Sequence, residues 1–316
     1  MTTTTTRSAH SNPAPAPTAP DGIGPSKEDG RVLNIFSHGF LIIWALLVTI
    51  PLVWAVIQSF KTDREILTNP LSLPSSLNFD AFGRAWSKGH IGEYFLNTVV
   101  VMVFSVSLTM LLGAMVAYVL ARYPFPGNRF IYYLFVVGLT MPIFLGLVPL
   151  YLTVKNFAAS LGLESVIGLN TYGGLILVYV AYSLPFTVFF LHAFFRTLPT
   201  TIAEAGMMDG AGHSRLFFRI MLPMAKPGLI SVGLFNIIGQ WNQFLLPKLL
   251  MFPQSGFEKG HFVITQGLLE LANNSKYETD WARLFAGMTL AMLPILAVYL
   301  AFNRQIQAGL TGATVK

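Results

Sequence analysis

Six apolar stretches, each close to the length that spans a lipid hydrocarbon core, divide the chain. They cover roughly 37–60, 95–120, 131–154, 173–195, 228–250 and 284–303. An α-helix needs about 20 mostly apolar residues to cross a bilayer. No Asp, Glu, Lys or Arg falls in the central part of any stretch, so each is predicted to be a transmembrane helix. The fifth is the least continuous, because Gln240, Asn242 and Gln243 interrupt it. Prolines inside the spans, including Pro142, Pro149 and Pro185, are tolerated where neighbouring helices cover the freed backbone groups. Gly113, Ala114 and Ala117 give the second span a small-residue face suited to close helix packing. The predicted fold class is all-α: a polytopic membrane protein with about six transmembrane helices and one cytoplasmic helix-turn-helix. Residues 1–31 differ from the rest. The run Thr2 to Thr6 and the Pro/Ala stretch Pro13 to Pro20 cannot bury a core, which predicts a disordered cytoplasmic tail ahead of a transmembrane domain at 32–316.

Composition agrees with a bilayer as solvent. Hydrophobic residues make up 53% of the chain and charged residues 11%, against about 25% charged in soluble domains. The formal charge of +6 fits headgroups and cytoplasmic loops, with no nucleic-acid partner expected. The absence of cysteine removes disulfides, thiolate nucleophiles and cysteine metal sites. The short loop 121–129 carries Arg122 and Arg129, while the longer loop 155–172 carries only Lys155. By the positive-inside rule both termini are then cytoplasmic, 61–94 and 251–283 face outward, and 196–227 faces the cytoplasm.

The segment 196–227 is too polar to span and too patterned for a slack loop. Thr201-Ile202-Ala203-Glu204 fits a capping box. A short helix is predicted through Met207 and Met208, ended by Asp209-Gly210, where glycine accepts the left-handed conformation. A second helix starts near Ser214 and places Phe217, Ile220 and Met221 on one face. Pro223 closes it, and Pro227 opens span five. The apolar face of this elbow has no evident cover within the chain.

These residues carry a family resemblance. Glu204-Ala205-Gly206-Met207-Met208-Asp209-Gly210-Ala211, followed by Phe217, Ile220, Leu222-Pro223 and Pro227, resembles the EAA loop of binding-protein-dependent ATP-binding-cassette importer permeases, with Gly206 where the family usually has a second alanine. Ser59-Phe60-Lys61-Thr62, Leu73-Pro74, Tyr94-Phe95-Leu96-Asn97, Trp241-Asn242 with Phe244, and the ending from Asn303-Arg304 to Gly309-Leu310-Thr311-Gly312 are similar to carbohydrate-importer permeases of the maltose-transporter type. The resemblance covers roughly 35–316. It implies that Glu204, Ala205, Asp209, Gly210, Ala211, Phe217, Ile220 and Pro223 couple to an ATPase. It further implies a second permease subunit as heterodimer partner, two ATPase copies, an extracytoplasmic sugar-binding protein, and residence in a bacterial inner membrane. No cofactor is expected on this chain. No Gly-Lys dipeptide occurs, so the chain has no phosphate-binding loop and ATP is used by the partner subunit.

Gln240, Trp241 and Asn242 form the largest polar cluster inside any span. They suit either the lining of a sugar path, with amides for hydroxyls and an indole for stacking, or packing between helices. His192 reads as a packed histidine and His213 as a solvated one. The outward segment 253–283 reads as a solvated surface or as a contact for the external binding protein. Among rival functions, an ion-coupled secondary transporter of a small polar solute lacks the intramembrane carboxylate for proton coupling, which leaves sodium coupling through backbone carbonyls as the open alternative. An intramembrane enzyme lacks Gly-x-Ser-x-Gly and His-Glu-x-x-His. A channel lacks a filter loop.

Overall fold

A computed structural model describes residues 27–252 and 261–311. The reading of 1–26 as a tail, the loop 253–260 and the last five residues lie outside the described residues. All regular structure within them is helical. The chain divides into two compact units, Met1–Val53 and Trp54–Lys316.

The first unit contributes most of helix α1, Lys27–Gln58. The helix begins inside the segment read as tail. Its stretch Ser37–Gln58 is long and apolar enough to cross a membrane, and large side chains such as Trp44 and Leu47 are exposed.

The second unit starts with two short helices, α2 (Asp63–Thr68) and α3 (Asp80–Trp86). Long α4 (Ile91–Arg122) leads to α5 (Asn128–Thr140) and α6 (Ile143–Ser160), then short α7 (Glu164–Ile167) and long α8 (Tyr172–Thr197). The elbow follows as α9 (Thr200–Met208), α10 (His213–Leu216), a π turn at Phe217–Met221 and α11 (Leu222–Met224). α12 (Lys226–Trp241), α13 (Leu245–Leu250), α14 (Ile264–Glu278) and α15 (Trp281–Thr311) complete it. Among the described residues five helices are long and apolar enough to span, and the pair His213–Met224 and Lys226–Trp241, bent by 76°, makes a sixth if taken together.

Two predicted spans are broken. The third, 131–154, divides at Met141-Pro142, where both residues are extended (ψ 117 and 119). A proline disfavours the α conformation in the residue before it, and so ends α5 there. The fifth stops being helical at Asn242–Phe244, the place its polar residues interrupt.

α4 and α8 run parallel and pack most extensively. Asn97 accepts from Tyr172 at 2.7 Å near their starts, and Arg122 donates to the Leu198 carbonyl at 2.5 Å near their ends. A Cβ on Gly113 would lie 2.5 Å from Thr187 Cγ2, so only glycine permits this approach. Ala114 and Ala117 are buried beside it, as the small-residue face predicted. α12 is antiparallel to both. Asn236 reaches Thr187, and Gln240, one turn later, bridges Ser183 and Ser105.

Two apolar cores mark opposite ends. One gathers Tyr94, Val101, Leu175, Leu250, Phe262 and Leu284. The other gathers Ala117, Tyr118, Val188, Phe195, Leu216 and Met221 around the elbow. At the first end Arg84 pairs with Asp280 at 3.0 Å, and Asp63 accepts from the Ala282 amide at 2.9 Å. Burial raises the Asp280 pKa, but the hydrogen bonds from Arg84 and the Arg283 amide, with both positive charges, outweigh it and hold the carboxyl below its usual range. The expectation of a solvated surface over 253–283 is corrected for Phe262, Val263, Ile264 and Leu271, which are buried. A Cβ on Gly267 would meet the Tyr94 ring at 2.1 Å, which shows how closely α14 lies against α4.

Candidate functional site

The elbow starts where Pro199 (φ −60, ψ 132) turns the chain out of α8 and begins α9 at Thr200. Thr201 is therefore inside the first turn, not at the cap, and the predicted capping box with Glu204 does not form. The other end follows expectation. Gly210 has φ +78; its amide donates to the Met207 carbonyl at 3.0 Å, and the Ala211 amide donates to the Gly206 carbonyl at 3.0 Å. This pair of bonds is the Schellman arrangement that glycine makes available.

Gly206 is buried, and a Cβ there would lie 2.9 Å from Ile220 Cδ1 and 3.1 Å from Leu216 Cδ1. The departure from alanine thus coincides with the contact between the two arms of the elbow. The second arm continues through the π turn to Met224, one residue beyond Pro223. Pro223 lacks an amide hydrogen, and the widened turn precedes it. Pro227 stands in the first turn of α12, as predicted.

The stripe Phe217, Ile220 and Met221 is not an uncovered docking face. Phe217 packs on Tyr118 with ring centroids 5.0 Å apart, Met221 is fully buried, and Ile220 is half-buried against Gly206. Helical periodicity identifies a shared face but not what that face meets, and here it meets the ends of α4 and α8. The exposed residues are Glu204, Ala205, Asp209, Gly210 and Pro223, with Ala211 half-buried. Met207 and Met208 join them, Met208 at 88% exposure. These two methionines were not singled out from sequence; their place beside Glu204 was the available signal. His213 is exposed, as expected, yet its Nδ1 lies 2.8 Å from the Tyr123 hydroxyl, tying the elbow to the α4–α5 turn.

The polar cluster of α12 separates into three environments. Gln240 is buried, accepting from Ser105 at 2.5 Å and donating to Ser183 at 3.2 Å. Trp241 is buried; its indole donates to the Ala291 carbonyl of α15 at 3.2 Å and meets Phe95 of α4 edge-on at 5.6 Å. Asn242 is exposed and donates to the Ile238 carbonyl at 2.8 Å. Gln240 also borders a cavity of about 360 Å³ whose wall includes Tyr179, Tyr182, Phe235, Asn236 and Gln243. Among the described residues no charged side chain lines it. Tyr182 and Asn236 were missed from sequence, since one tyrosine or asparagine inside an apolar span carries no signal by itself. His192 is buried, its ring 4.3 Å from that of Tyr132, as a packed histidine. Among the described residues, no three His, Asp or Glu side chains are grouped to hold a metal.

Comparison with known proteins places this arrangement. Residues 109–312 match the profile of the family described as binding-protein-dependent transport system inner membrane component. The chain is 47% identical over 286 residues to the diacetylchitobiose uptake system permease protein NgcG of Streptomyces coelicolor, covering 90% of each chain. It is 28% identical to the trehalose transport system permease protein SugB of Mycobacterium tuberculosis, over 86% of this chain and 97% of that one. A solved bacterial ABC transporter involved in import of the acidic polysaccharide alginate shares the fold, with a TM-score of 0.70 at 20% identity over 90% of this chain and 99% of that chain. The elbow, the span pattern and these matches agree: the chain belongs to the binding-protein-dependent transport system inner membrane component family, the permease subunits of ABC importers, in which ATP is hydrolysed by a separate subunit.

Proposed function

We propose that this permease forms half of the path for a neutral oligosaccharide. One observation carries the substrate class: the cavity beside α8 and α12 offers tyrosine faces and amide side chains but no charge. Aromatic faces accept sugar rings, and amides donate to and accept from hydroxyls. An acidic polymer would need cations there. The relatives named for diacetylchitobiose and trehalose support a neutral sugar.

In this reading the exposed side of α9, with Glu204, Ala205, Met207, Met208, Asp209 and Gly210, meets the ATPase. Phe217 and Ile220 act through packing, by fixing the elbow to α4 and α8. Closure of the ATPase dimer then moves the elbow as a unit and re-angles α8 and α12, so the cavity alternates between the two membrane faces. The elbow end is cytoplasmic, supported by Arg122 and Arg129 around the short α4–α5 turn. The complete assembly holds a second permease subunit, two ATPase copies and an external sugar-binding protein.

The experiment is uptake into vesicles holding the purified complex and its binding protein, with ATPase activity read in parallel. Neutral chito-oligosaccharides or α-glucosides are expected to stimulate both, and uronic-acid oligomers neither. Uptake of uronate oligomers in preference to neutral ones would overturn the substrate class.

A further inference from the structure

A second, larger cavity of about 650 Å³ lies at the elbow end, away from the sugar cavity. Arg122, Arg129, Arg196, His192, Tyr132 and Tyr133 are in its wall. It forms where three helix termini meet: Arg122 is the last residue of α4, Arg196 is in the last turn of α8, and Arg129 is the second residue of α5. The turn between α4 and α5 is held in shape. Gly127 takes φ +89, and Asn128 Nδ2 donates to the Leu120 carbonyl at 3.0 Å and the Tyr123 carbonyl at 2.9 Å.

No carboxylate among the described residues pairs with any of the three arginines. Arg122 spends one terminal nitrogen on the Leu198 carbonyl, which fixes its guanidinium, while its Nε is buried with no hydrogen-bond partner. A guanidinium held in place beside the exposed Arg129 and Arg196 is suited to phosphate oxygens. One side of the wall is apolar and exposed. Along α5, Phe130, Tyr133, Leu134 and Val137 are all exposed, and their spacing of three, four and seven residues makes one stripe running from the cavity towards the middle of the span.

We infer that this pocket binds the phosphate of an anionic phospholipid, with its acyl chain along the α5 stripe. The basic rim reads the phosphate, and the tyrosines can donate to it as well. The stripe distinguishes a lipid from free phosphate, which would gain nothing from it. Basic pockets between helices at a membrane surface are a recurrent setting for anionic headgroups. The inference stands apart from the choice of sugar.

The test uses the full chain, purified in detergent and stripped of lipid, with retained lipid counted by native mass spectrometry. Phosphatidylglycerol and phosphatidylcholine with the same acyl chains are titrated separately, and inorganic phosphate forms a third arm. Phosphatidylglycerol is expected to bind and phosphatidylcholine to bind far more weakly. Arg129→Gln and Arg196→Gln, both at exposed side chains, should each weaken phosphatidylglycerol about fivefold, the effect of one basic residue at an anionic surface. Arg129→Lys should retain most of the affinity, which a folding defect would not allow. Lys155→Gln, on α6 beside the other core, should change nothing. Equal binding of the two lipids would overturn the inference, as would an equal loss in Lys155→Gln. If inorganic phosphate occupies the pocket as tightly as the lipid does, the lipid assignment fails.

Discussion

Lys61 has no exposed surface, yet it follows directly on a span. Its ammonium donates to the Asn69 carbonyl at 3.0 Å and the Pro70 carbonyl at 3.3 Å, while Gln58 and Trp54 donate to that same Pro70 carbonyl at 2.5 and 2.9 Å. Three residues of the stretch Ser59-Phe60-Lys61-Thr62, noticed only as a resemblance, thus have separate roles. Phe60 joins Phe79 and Phe82 at ring separations of 5.5 and 5.2 Å, and Thr62 caps α2. Lys61→Met removes two charge-assisted bonds, although the Asn69 carbonyl keeps the Ser72 amide and hydroxyl as donors, and the loss is about 1–2 kcal/mol. A lowered melting temperature of the detergent-solubilised chain, with correct membrane insertion, is the expected result. Glu65 gives a pH prediction. The Ser75 hydroxyl is the main cause of its depressed pKa, with backbone bonds from Thr62 and Ser75 adding, and together they bring it to about 2 from 4.5. A carboxyl depressed in the folded state contributes stability above its unfolded pKa and loses it as pH falls through the folded one. The stability difference between wild type and Glu65→Gln should therefore be constant at neutral pH and shrink between about pH 4.5 and 2. A difference that grows on acidification would contradict the hydrogen-bond geometry.

At the scale of elements, the elbow tests which kind of glycine constraint matters. Gly206 is constrained by a neighbour and Gly210 by its own backbone. A Cβ on Gly206 meets only the ends of two flexible side chains, and alanine gains about 1 kcal/mol of helix propensity. Gly206→Ala should be nearly neutral in uptake, whereas Gly206→Leu should push α9 off the second arm. Gly210 faces open space, so Gly210→Val clashes with nothing. Its cost is the left-handed conformation itself, roughly 1–2 kcal/mol, relieved by re-angling the second arm. Gly210→Val should reach the membrane in normal amount but lose sugar-stimulated ATP hydrolysis in the reconstituted complex. Unchanged stimulation would mean that the angle between the arms does not transmit motion. The stop at Gly210 was legible in the sequence because few residues besides glycine fit there. The start was not, because Thr201-x-x-Glu204 satisfies the capping pattern while Pro199 sets the boundary two residues earlier. The inward turn of Phe217 was equally illegible, since period alone does not name the partner of an apolar face.

Across the whole molecule, spans are the most legible feature, because a bilayer tolerates only long apolar helices with their backbone bonds satisfied. Their interruptions are less so. Pro142 sits in an apolar run that reads as continuous, so that break depends on local conformation, whereas the polar residues Gln240, Asn242 and Gln243 already mark the break in the fifth span. Least legible is which side of a span faces the path. Gln240, Trp241 and Asn242 are consecutive, so a helix turns them about 100° apart, and the fold sends each to a different environment. That divergence permits a decisive comparison between Trp241 and Tyr182. Trp241 is buried between α12 and α15, and truncating a buried tryptophan costs about 3–5 kcal/mol. Trp241→Ala should lower the melting temperature and impair assembly with the partner subunits. Tyr182 lines the cavity and keeps 52% of its surface exposed. Tyr182→Ala should leave melting temperature and assembly intact while weakening half-saturation for sugar uptake about fivefold or more, as loss of an aromatic anchor worth over about 1 kcal/mol implies. Uptake titrations of both variants, beside copurification of the complex, separate the two roles. Should Tyr182→Ala transport like the wild type while Trp241→Ala assembles normally and loses only sugar affinity, the path runs on the α15 side of α12 and the cavity assigned to it is wrong.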